Sequence, residues 1–229
     1  MDHPLSIIYE DNHLLIIDKQ AGVLVQGDKT NDVALLDICK GYIKEKYNKP
    51  GDVYLGLVHR LDRPVSGLVI FAKTSKALSR MNELFRNDDI KKTYWALVKN
   101  RPPAESGELV NWLKKDTSKN IVRVQASGKK GAKKAILSYT LLGRISDTYL
   151  LEINLKTGRP HQIRVQLAKM GCPVVGDLKY GYPHANKDGS LNLHAKTLSF
   201  VHPVKKDLFE VSARLPNNSK WNLYKSFEV

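Results

Sequence analysis

Short apolar stretches separated by polar turns recur along the chain and predict a sheet-rich fold. Apolar runs or apolar/polar alternation, flanked by Gly, Pro, Asn or Asp, are typical of strands. Nine segments fit this description: residues 7–9, 14–18, 68–72, 93–98, 121–124, 135–143, 149–155, 192–200 and 208–213. Residues 102–107, which begin with two prolines, are expected to form a loop.

A helical spacing of apolar residues occurs in three other segments. Residues 32–47 place Val33, Leu36, Ile43 and Tyr47 near one face of a predicted helix. A second helix is expected to begin after a capping Thr74 and to run to about residue 86. Pro160 favours the first position of a third helix that ends near residue 170, and a short helix is possible around Trp221.

These elements predict an α+β fold with a mostly antiparallel mixed sheet flanked by helices and loops. The chain has 229 residues, of which 42% are hydrophobic, so it can bury a sizeable core. No repeat, low-complexity segment or convincing linker divides it. We therefore expect residues 1–229 to form a single domain.

Charge narrows the range of partners. Lys and Arg total 37 against 23 Asp and Glu, a net charge of +14, which favours a polyanion such as nucleic acid.

No apolar run approaches the roughly 20 residues of a membrane span, and the start shows no signal peptide. The two cysteines, Cys39 and Cys172, fit buried thiols in a reducing compartment better than a disulfide. A cytoplasmic location is expected.

The segment HRLDRPVSGL, residues 59–68, concentrates chemical groups at the start of a predicted strand. Asp62 lies between Arg60 and Arg63, and Pro64 with Gly67 favours a rigid turn. Positive surroundings favour an ionised carboxylate that can act as a nucleophile or base, and they attract an anionic substrate. Arg60 could take part in attracting such a substrate; the alternative is that it simply pairs with a nearby carboxylate.

Two further segments carry candidate binding residues. Near the predicted third helix lie Arg159, His161, Gln162 and Arg164, which fit either an anion site or a solvated basic helix face. On the predicted strand at 93–98, Tyr94 is expected to point the same way as Lys92. From the residues alone, a core or sheet-face aromatic is the commoner role of a tyrosine in a strand such as this one.

These three segments, in this order, resemble the motifs of the RluA-type pseudouridine synthases. HRLD matches the catalytic motif, Lys92-Thr93-Tyr94 matches a Lys-x-Tyr motif, and residues 155–181 match a motif with Gly-Arg, His-Gln and Ile-Arg. The stretches IIYEDNHLLIIDKQAG and LHAKTLSFVHP resemble the first and last motifs. Departures from the family pattern are Gln20 for Pro, Val65 for Thr and Pro160 for Thr.

The resemblance implies a role for each matching residue. It makes Asp62 the catalytic residue, pairs Arg164 with it, and places Ile163 beside the target base. Tyr94 stacks on the uracil and takes part in proton removal, so that Asp62, Tyr94 and Arg164 form the catalytic set. Other residues would bind RNA: Arg60, which can enter the space left by the flipped base, and Lys92, Arg159, His161, Gln162, Lys129, Lys130, Lys133 and Lys134.

The four lysines between 129 and 134 are expected on a flexible hairpin tip, where they fit phosphate binding or a solvated loop about equally. No P-loop, Cys-x-x-Cys, Gly-x-Ser-x-Gly or histidine metal spacing occurs in the sequence, and we expect neither a metal nor a cofactor.

The resemblance implies an isomerase that converts uridines of structured RNA into pseudouridine without adding or removing atoms. The expected partner is a stem-loop of tRNA or rRNA, with no membrane and no obligatory protein partner. Because the sequence begins directly at the motifs, no S4-type RNA-binding module is expected. A non-enzymatic RNA-binding or ribosome-assembly protein is the alternative, and a glycosidase that releases uracil is a weaker one.

Overall fold

The computed structural model describes residues 5–28 and 30–228. The chain folds into two compact units. The first contains the described residues up to Ile90 together with Thr197–Arg214, and the second contains Lys91–Lys196 together with the described residues from Leu215 onward. Each unit is discontinuous in sequence, which explains why no linker is visible in the amino-acid pattern.

The described residues form eleven strands and four α-helices. In chain order these are β1 (Ile7–Glu10), β2 (Leu14–Lys19), α1 (Leu35–Lys46), β3 (Gly56–Leu57), β4 (Ser66–Ala72), α2 (Ser75–Asn87), β5 (Lys91–Val98), β6 (Ser106–Asp116), β7 (Ile121–Gln125), β8 (Lys133–Ile145), β9 (Thr148–Leu155), α3 (Gln162–Lys169), β10 (Leu193–Val201), β11 (Leu208–Ser212) and α4 (Ser219–Asn222). The predicted α+β class with a mostly antiparallel sheet is confirmed.

The first unit packs two helices with an antiparallel sheet. β2 lies between β1 and β4, and the short β3 also pairs with β4. β11 pairs with β10. Fully buried side chains from β2, β4, α2 and β10 form the core, among them Leu14, Ile16, Leu68, Ile70, Met81 and Phe200. β4 is buried along its whole length, as its continuous apolar run predicts.

The two helices of this unit differ in how well their starts are encoded. α2 begins as predicted, because the Thr74 hydroxyl accepts a hydrogen bond from the Ala77 N–H. α1 begins at Leu35, three residues later than expected, with Ala34 as a cap that makes no side-chain hydrogen bond. Val33, predicted on its apolar face, precedes the helix and is 70% exposed.

The second unit contains an antiparallel sheet in the order β5-β9-β8-β6-β7. One part of its core brings Val165 of α3 against Leu113, Val122 and Ala135 of β6, β7 and β8. Another part packs the C-terminal segment against β5 and β9, with Trp95, Leu97, Leu150, Trp221 and Tyr224 buried. α4, which contains Trp221, is the predicted short helix.

Two features of this sheet correct the sequence-based expectations. β6 was not predicted, because adjacent apolar pairs, Leu109-Val110 and Trp112-Leu113, hide the alternation of a strand. The loop between Gln125 and Lys133 is not a hairpin tip, since β6 lies between β7 and β8. Lys129 and Lys130 lie in this crossover loop, whereas Lys133 and Lys134 begin β8.

Both cysteines are free and buried, Cys39 in α1 and Cys172 after α3. Burial raises the pKa of both thiols, that of Cys39 to about 12. In the described part of the chain, no helix is long and apolar enough to cross a membrane.

Candidate active site

Asp62 lies in a tight turn that leads into β4. The Val65 N–H donates to the Asp62 carbonyl at 3.0 Å and closes the turn. Gly67 follows with φ at 112°, a conformation that side chains disfavour. Val65, which replaces the Thr of the family pattern, is buried. The turn is therefore closed by its own backbone, and the missing threonine hydroxyl is not required for that bond.

A second turn, after β2, holds the Asp62 turn from one side. The Gly22 N–H donates to the Arg63 carbonyl at 2.8 Å, and the Arg63 Nε donates to the Gly22 carbonyl at 2.9 Å. The Lys19 ammonium donates to the same Arg63 carbonyl at 3.1 Å and to the carbonyls of Gln20 and Val23 at 2.9 Å. One buried lysine thus ties the two turns together.

Lys19 supports the Asp62 turn and was not predicted from the sequence. Burial is the largest influence on its ammonium and lowers the pKa of Lys19 to about 7; the charge of Asp62 opposes that effect and the charge of Arg63 adds to it. The signal was present, since Lys19 precedes the Gln20–Gly22 turn in the segment that resembles the first family motif.

Arg63 and Arg60 do not play equivalent parts beside Asp62. The Arg63 guanidinium binds the Gly22 carbonyl and forms an exposed ion pair with Asp32 at 2.7 Å. Arg60 is exposed to solvent. Both arginines are exposed, and Arg63 is already engaged by Gly22 and Asp32.

His59 anchors the start of the HRLD segment. Its Nε2 accepts a hydrogen bond from the Ile70 N–H of β4 at 3.1 Å, and its ring stacks on Phe85 of α2 with centroids 5.0 Å apart. A ring nitrogen that accepts this bond carries no proton in that arrangement. His59 therefore joins the motif to one strand and one helix of the same unit.

Arg164, in the second unit, is held by a buried carboxylate. Its Nε donates to Asp177 Oδ2 at 2.7 Å and its Nη2 to Asp177 Oδ1 at 2.8 Å, and both side chains are less than one-tenth exposed. The guanidinium also lies over the Tyr180 ring, 5.1 Å from its centroid. A two-point ion pair together with an aromatic face fixes the plane of the guanidinium.

The sequence favours this arrangement at Gly176, which precedes Asp177. Gly176 has φ at 89°, and a Cβ on it would lie 2.7 Å from the Ser190 carbonyl. Another residue would therefore displace the chain beside the acid. Asp177 and Tyr180, near the end of the segment that matches the family motif, are the residues that orient Arg164.

α3 begins at Gln162 rather than at Pro160, because His161 adopts a left-handed conformation with φ at 50° and ψ at 21°. Its Nδ1 lies 2.7 Å from the Tyr180 hydroxyl, which also accepts the Val122 N–H at 2.9 Å. The prediction that Pro160 opens the helix is wrong; the proline belongs to the turn before it. This turn brings His161 to the same tyrosine that contacts Arg164.

Gln162 has every polar atom of its side-chain amide engaged and is buried. Its Oε1 accepts from the Thr157 hydroxyl and the Arg159 N–H, and its Nε2 donates to the Ile136 carbonyl. Arg159 donates through Nε to the Lys134 carbonyl at 3.0 Å. This geometry favours a structural role for Gln162 in holding the turn before α3, instead of the expected contact with RNA.

The remaining candidates of the second unit lie on β5, on α3 and in the basic segment. Tyr94 is partly exposed and pairs across the sheet with Ile153. Lys92 and Ile163 are buried, at 7% and 5% exposure. The four lysines Lys129, Lys130, Lys133 and Lys134 are all exposed. Tyr94 and Arg164 thus lie in the second unit, and Asp62 and Arg60 in the first.

Comparison with known proteins agrees with the motifs. Residues 13–169 match the model of a family described as RNA pseudouridylate synthase. An uncharacterized RNA pseudouridine synthase of Synechocystis sp. is 35% identical over 221 residues. Ribosomal large subunit pseudouridine synthase D of Zymomonas mobilis is 30% identical over 230 residues, which cover 95% of this chain and 71% of that protein.

The relatives are longer than this chain. It spans 66% of the Synechocystis protein, just under two thirds, although the match covers 93% of the chain itself. Among solved structures, the human protein RNA pseudouridylate synthase domain containing 4 superposes with a TM-score of 0.80 at 24% identity, covering 96% of this chain and 92% of the human one. That likeness confirms the fold.

Proposed function

Because the chain belongs to the RNA pseudouridylate synthase family, we propose that it isomerises specific uridines in RNA to pseudouridine. In this reaction the bond between the ribose and a uracil nitrogen breaks, the base turns, and a bond to a ring carbon replaces it. Nothing is oxidised, and no atoms are added or lost. Acid–base or nucleophilic groups and a means of holding the detached base are sufficient in principle.

The observation that carries the proposal is the fixed turn beneath Asp62. Backbone bonds to Val65 and Gly22, together with Lys19, hold the turn through its main-chain carbonyls. An acid presented in this way keeps its position before the substrate binds, which is what positioning catalysis requires. We propose Asp62 as the catalytic residue that attacks the base or sugar or removes a ribose proton.

The second unit contributes the groups that we propose act on the base. Tyr94 stacks on the uracil and later removes the proton from the new carbon link. Ile163 packs beside the base. Arg164, oriented by Asp177, pairs with Asp62, as the family motif implies. The Arg164–Asp177 geometry supports this role because Asp177 accepts two of the five N–H donors of a guanidinium and fixes its plane.

RNA binding would surround this centre with cations. We propose that Arg60 enters the space left by the flipped uridine and that Lys92, Arg159 and His161 line the approach. Lys129, Lys130, Lys133 and Lys134 would contact phosphates further away. Flipping a base costs a few kcal/mol, which stacking and phosphate contacts must offset. The exposed position of Arg60 and the four lysines supports these assignments.

The substrate that we propose is a stem-loop of ribosomal RNA, since two of the similar proteins are named as large-subunit synthases. Residues 1–229 would act as one catalytic domain in the cytoplasm, with no cofactor and no obligatory protein partner. A tRNA stem-loop is the alternative substrate. A non-enzymatic RNA-binding role would leave the RNA unmodified.

The experiment is a transcriptome-wide pseudouridine map in matched strains with and without the gene. A base-selective chemical label is needed because isomerisation leaves the mass unchanged. We expect at least one rRNA site to disappear and to return when the gene is restored. Purified protein should then modify a short transcript of that stem-loop. Identical maps in the two strains would contradict the enzymatic proposal, and a lost tRNA site would reassign the substrate.

A further inference from the structure

In the sheet of the second unit, α3 covers one face of β6, β7 and β8, and the C-terminal segment covers the opposite face at β5 and β9. The part of that opposite face on β6, β7 and the start of β8 is called the open face below. α3 packs Val165 on Leu113, Val122 and Ala135. Gln166 of the same helix donates to the Leu109 carbonyl and to Asn111 Oδ1. Because side chains alternate along a strand, the intervening residues of β6 point to the other face. Val110 there is 45% exposed, which is unusual for a valine in a sheet.

The open face carries an aromatic side chain surrounded by cations. Trp112 of β6 lies directly opposite Lys134 of β8 and opposite Gln125 of β7. Lys114, two residues further along β6, is on the same face and opposite Arg123. Directly opposite side chains lie about 5 Å apart at Cβ, so Lys134 is next to the indole on β8, and Arg123 lies diagonally across on β7. Lys114, Arg123 and Lys134 are all exposed.

The two acidic side chains that β6 places on this face are already engaged by other groups. Glu108, on β6, forms an ion pair with Lys156 at 2.8 Å. Asp116 accepts hydrogen bonds from the Ser118 hydroxyl and the backbone of Ser118 and Lys119. Among the side chains that the structure describes, Lys114, Arg123 and Lys134 are in no ion pair. Their charge is available to an external anion.

The basic end of the face continues toward the segment before α3. Arg159 binds the Lys134 carbonyl and therefore lies at the start of β8. His161 and α3 follow Arg159 directly in the chain. Tyr94, aligned through Ile153 and Tyr139 with Gly107 of β6, lies on the α3 face of the sheet. A polyanion would therefore reach the cations beside Trp112 by passing around the start of β8, next to Arg159.

We propose that this face, defined by Trp112, Lys114, Arg123, Lys134 and Ile136, binds an unpaired RNA segment that flanks the target uridine. An open sheet that combines an aromatic ring with cations suits single strands, because every base can stack and every linkage carries a charge. A protein partner would favour a larger apolar centre with fewer lysines. The face extends the proposed function from the reacting base to the RNA beside it.

The test compares two RNAs that differ only in an unpaired extension. Both contain the mapped stem-loop, and one carries ten additional unpaired nucleotides on either the 5′ or the 3′ side. With unmodified protein, we expect one extension to tighten the Kd about 5- to 100-fold, the range expected for stacking of one base. Trp112→Leu should remove that gain, and Tyr149→Leu, at the far end of the β8–β9 pair, should retain it.

Arg123→Gln is a variant that should leave the sheet folded, because Arg123 is exposed on the edge strand β7. With the extended RNA it should reduce the slope of log K against log salt by about 0.7, the value for one single-strand phosphate. Its slope with the short RNA should match that of the unmodified protein.

Tryptophan fluorescence gives a readout that does not depend on catalysis. Trp95 and Trp221 are buried, at 6% and 1% exposure, so quenching by an added single-stranded oligonucleotide reports on Trp112. We expect the signal to disappear in Trp112→Leu. Equal affinity for both RNAs, or a gain that persists in Trp112→Leu, would overturn the inference. A variant that changes oligomeric state without changing RNA affinity would also overturn it, by making the face a contact between copies.

Failure of this inference differs from failure of the proposed function. If the protein makes pseudouridine but ignores the extension, only the open face is disproved. If the oligonucleotide quenches Trp112 and no pseudouridine is found, RNA binding stands and the enzymatic proposal fails.

Discussion

The Asp62 turn of the first unit and the Arg164 helix of the second are held by different kinds of bond. Main-chain carbonyls and amides fix the turn, aided by Lys19. The side chains of Asp177 and Tyr180 hold the guanidinium. The main-chain bonds of the Asp62 turn would therefore remain if its carboxylate were replaced, whereas the orientation of Arg164 depends on a side-chain partner.

Because the two sites are held by different bonds, mutations in the two units should affect activity and stability differently. In the first unit the geometry survives when the chemical group is removed, so that activity and stability should respond independently. In the second unit the group that orients Arg164 is also buried, so that both should fall together. A buried ion pair deprived of one partner leaves an uncompensated charge.

Asp62→Asn tests the first half of the comparison and should have the largest effect. The change removes a charge but little volume, and the turn keeps its backbone bonds. We expect single-turnover product formation to fall at least about 10⁴-fold, or ~5 kcal/mol of barrier, while the Kd for RNA and the Tm change little. Wild-type rates in this variant would remove Asp62 from the chemistry.

Asp177→Asn tests the second half. Loss of the carboxylate leaves Arg164 buried with a neutral partner, and we expect the free energy of unfolding to fall by about 3–5 kcal/mol, together with activity. Glu108→Gln, which breaks the exposed pair with Lys156 in the same unit, is the matched control and should change stability by less than about 1 kcal/mol. Urea titrations measure both, and equal small effects would contradict the proposed dependence of Arg164 on Asp177.

Tyr94→Phe separates stacking from proton transfer in the second unit. The ring remains and the hydroxyl is lost, so we expect near-normal RNA affinity with product formation reduced about 100-fold, the lower range for acid–base groups. Tyr94→Ala should weaken binding as well, by about 1–3 kcal/mol. Full activity of the Phe variant would limit Tyr94 to stacking.

Lys19→Met sharpens the account of the first unit through the effect of pH. Burial lowers the pKa of Lys19 to about 7 from an ordinary value of 10.5. Between these values the unfolded chain retains a proton that the folded chain has lost, so the stability of the wild type rises with pH. Relative to Lys19→Met, the wild type should gain up to about 1.4 kcal/mol per pH unit in this window.

The measurement is urea unfolding at pH 7, 8 and 9. Lys76→Met, at an exposed position of α2 in the same unit, should follow the wild type. A difference between wild type and Lys19→Met that stays constant with pH would show that Lys19 does not titrate there.

The sequence predicted elements whose cause is local. Thr74 predicted the start of α2 because a capping hydroxyl binds an amide within the first turn of the helix. The apolar run Leu68–Ala72 predicted β4 because that strand is buried on both faces. β6 was not predicted because its adjacent apolar pairs, Leu109-Val110 and Trp112-Leu113, hide the alternation of its two faces. The start of α3 was misplaced because a left-handed His161 separates it from Pro160.

The candidate site was predictable in its chemical groups but not in its supports. Asp62, Tyr94 and Arg164 stand in motifs and could be read directly. Lys19 and Asp177 act through contacts 44 and 13 residues away in sequence, which depend on how the chain folds back. The spacing of residues in the sequence does not indicate that Lys19 binds the Arg63 carbonyl or that Asp177 binds Arg164.

The order of segments in the chain also bears on how the protein is synthesised. The core of the first unit includes Leu198, Phe200 and Ala213, which follow the whole of Lys91–Lys196. At about 5–20 residues per second, a ribosome needs on the order of ten seconds to pass from Ile90 to these residues. During that interval β4 and α2 lack part of their hydrophobic partner, and this nascent intermediate is the stage at which a chaperone would find exposed apolar surface.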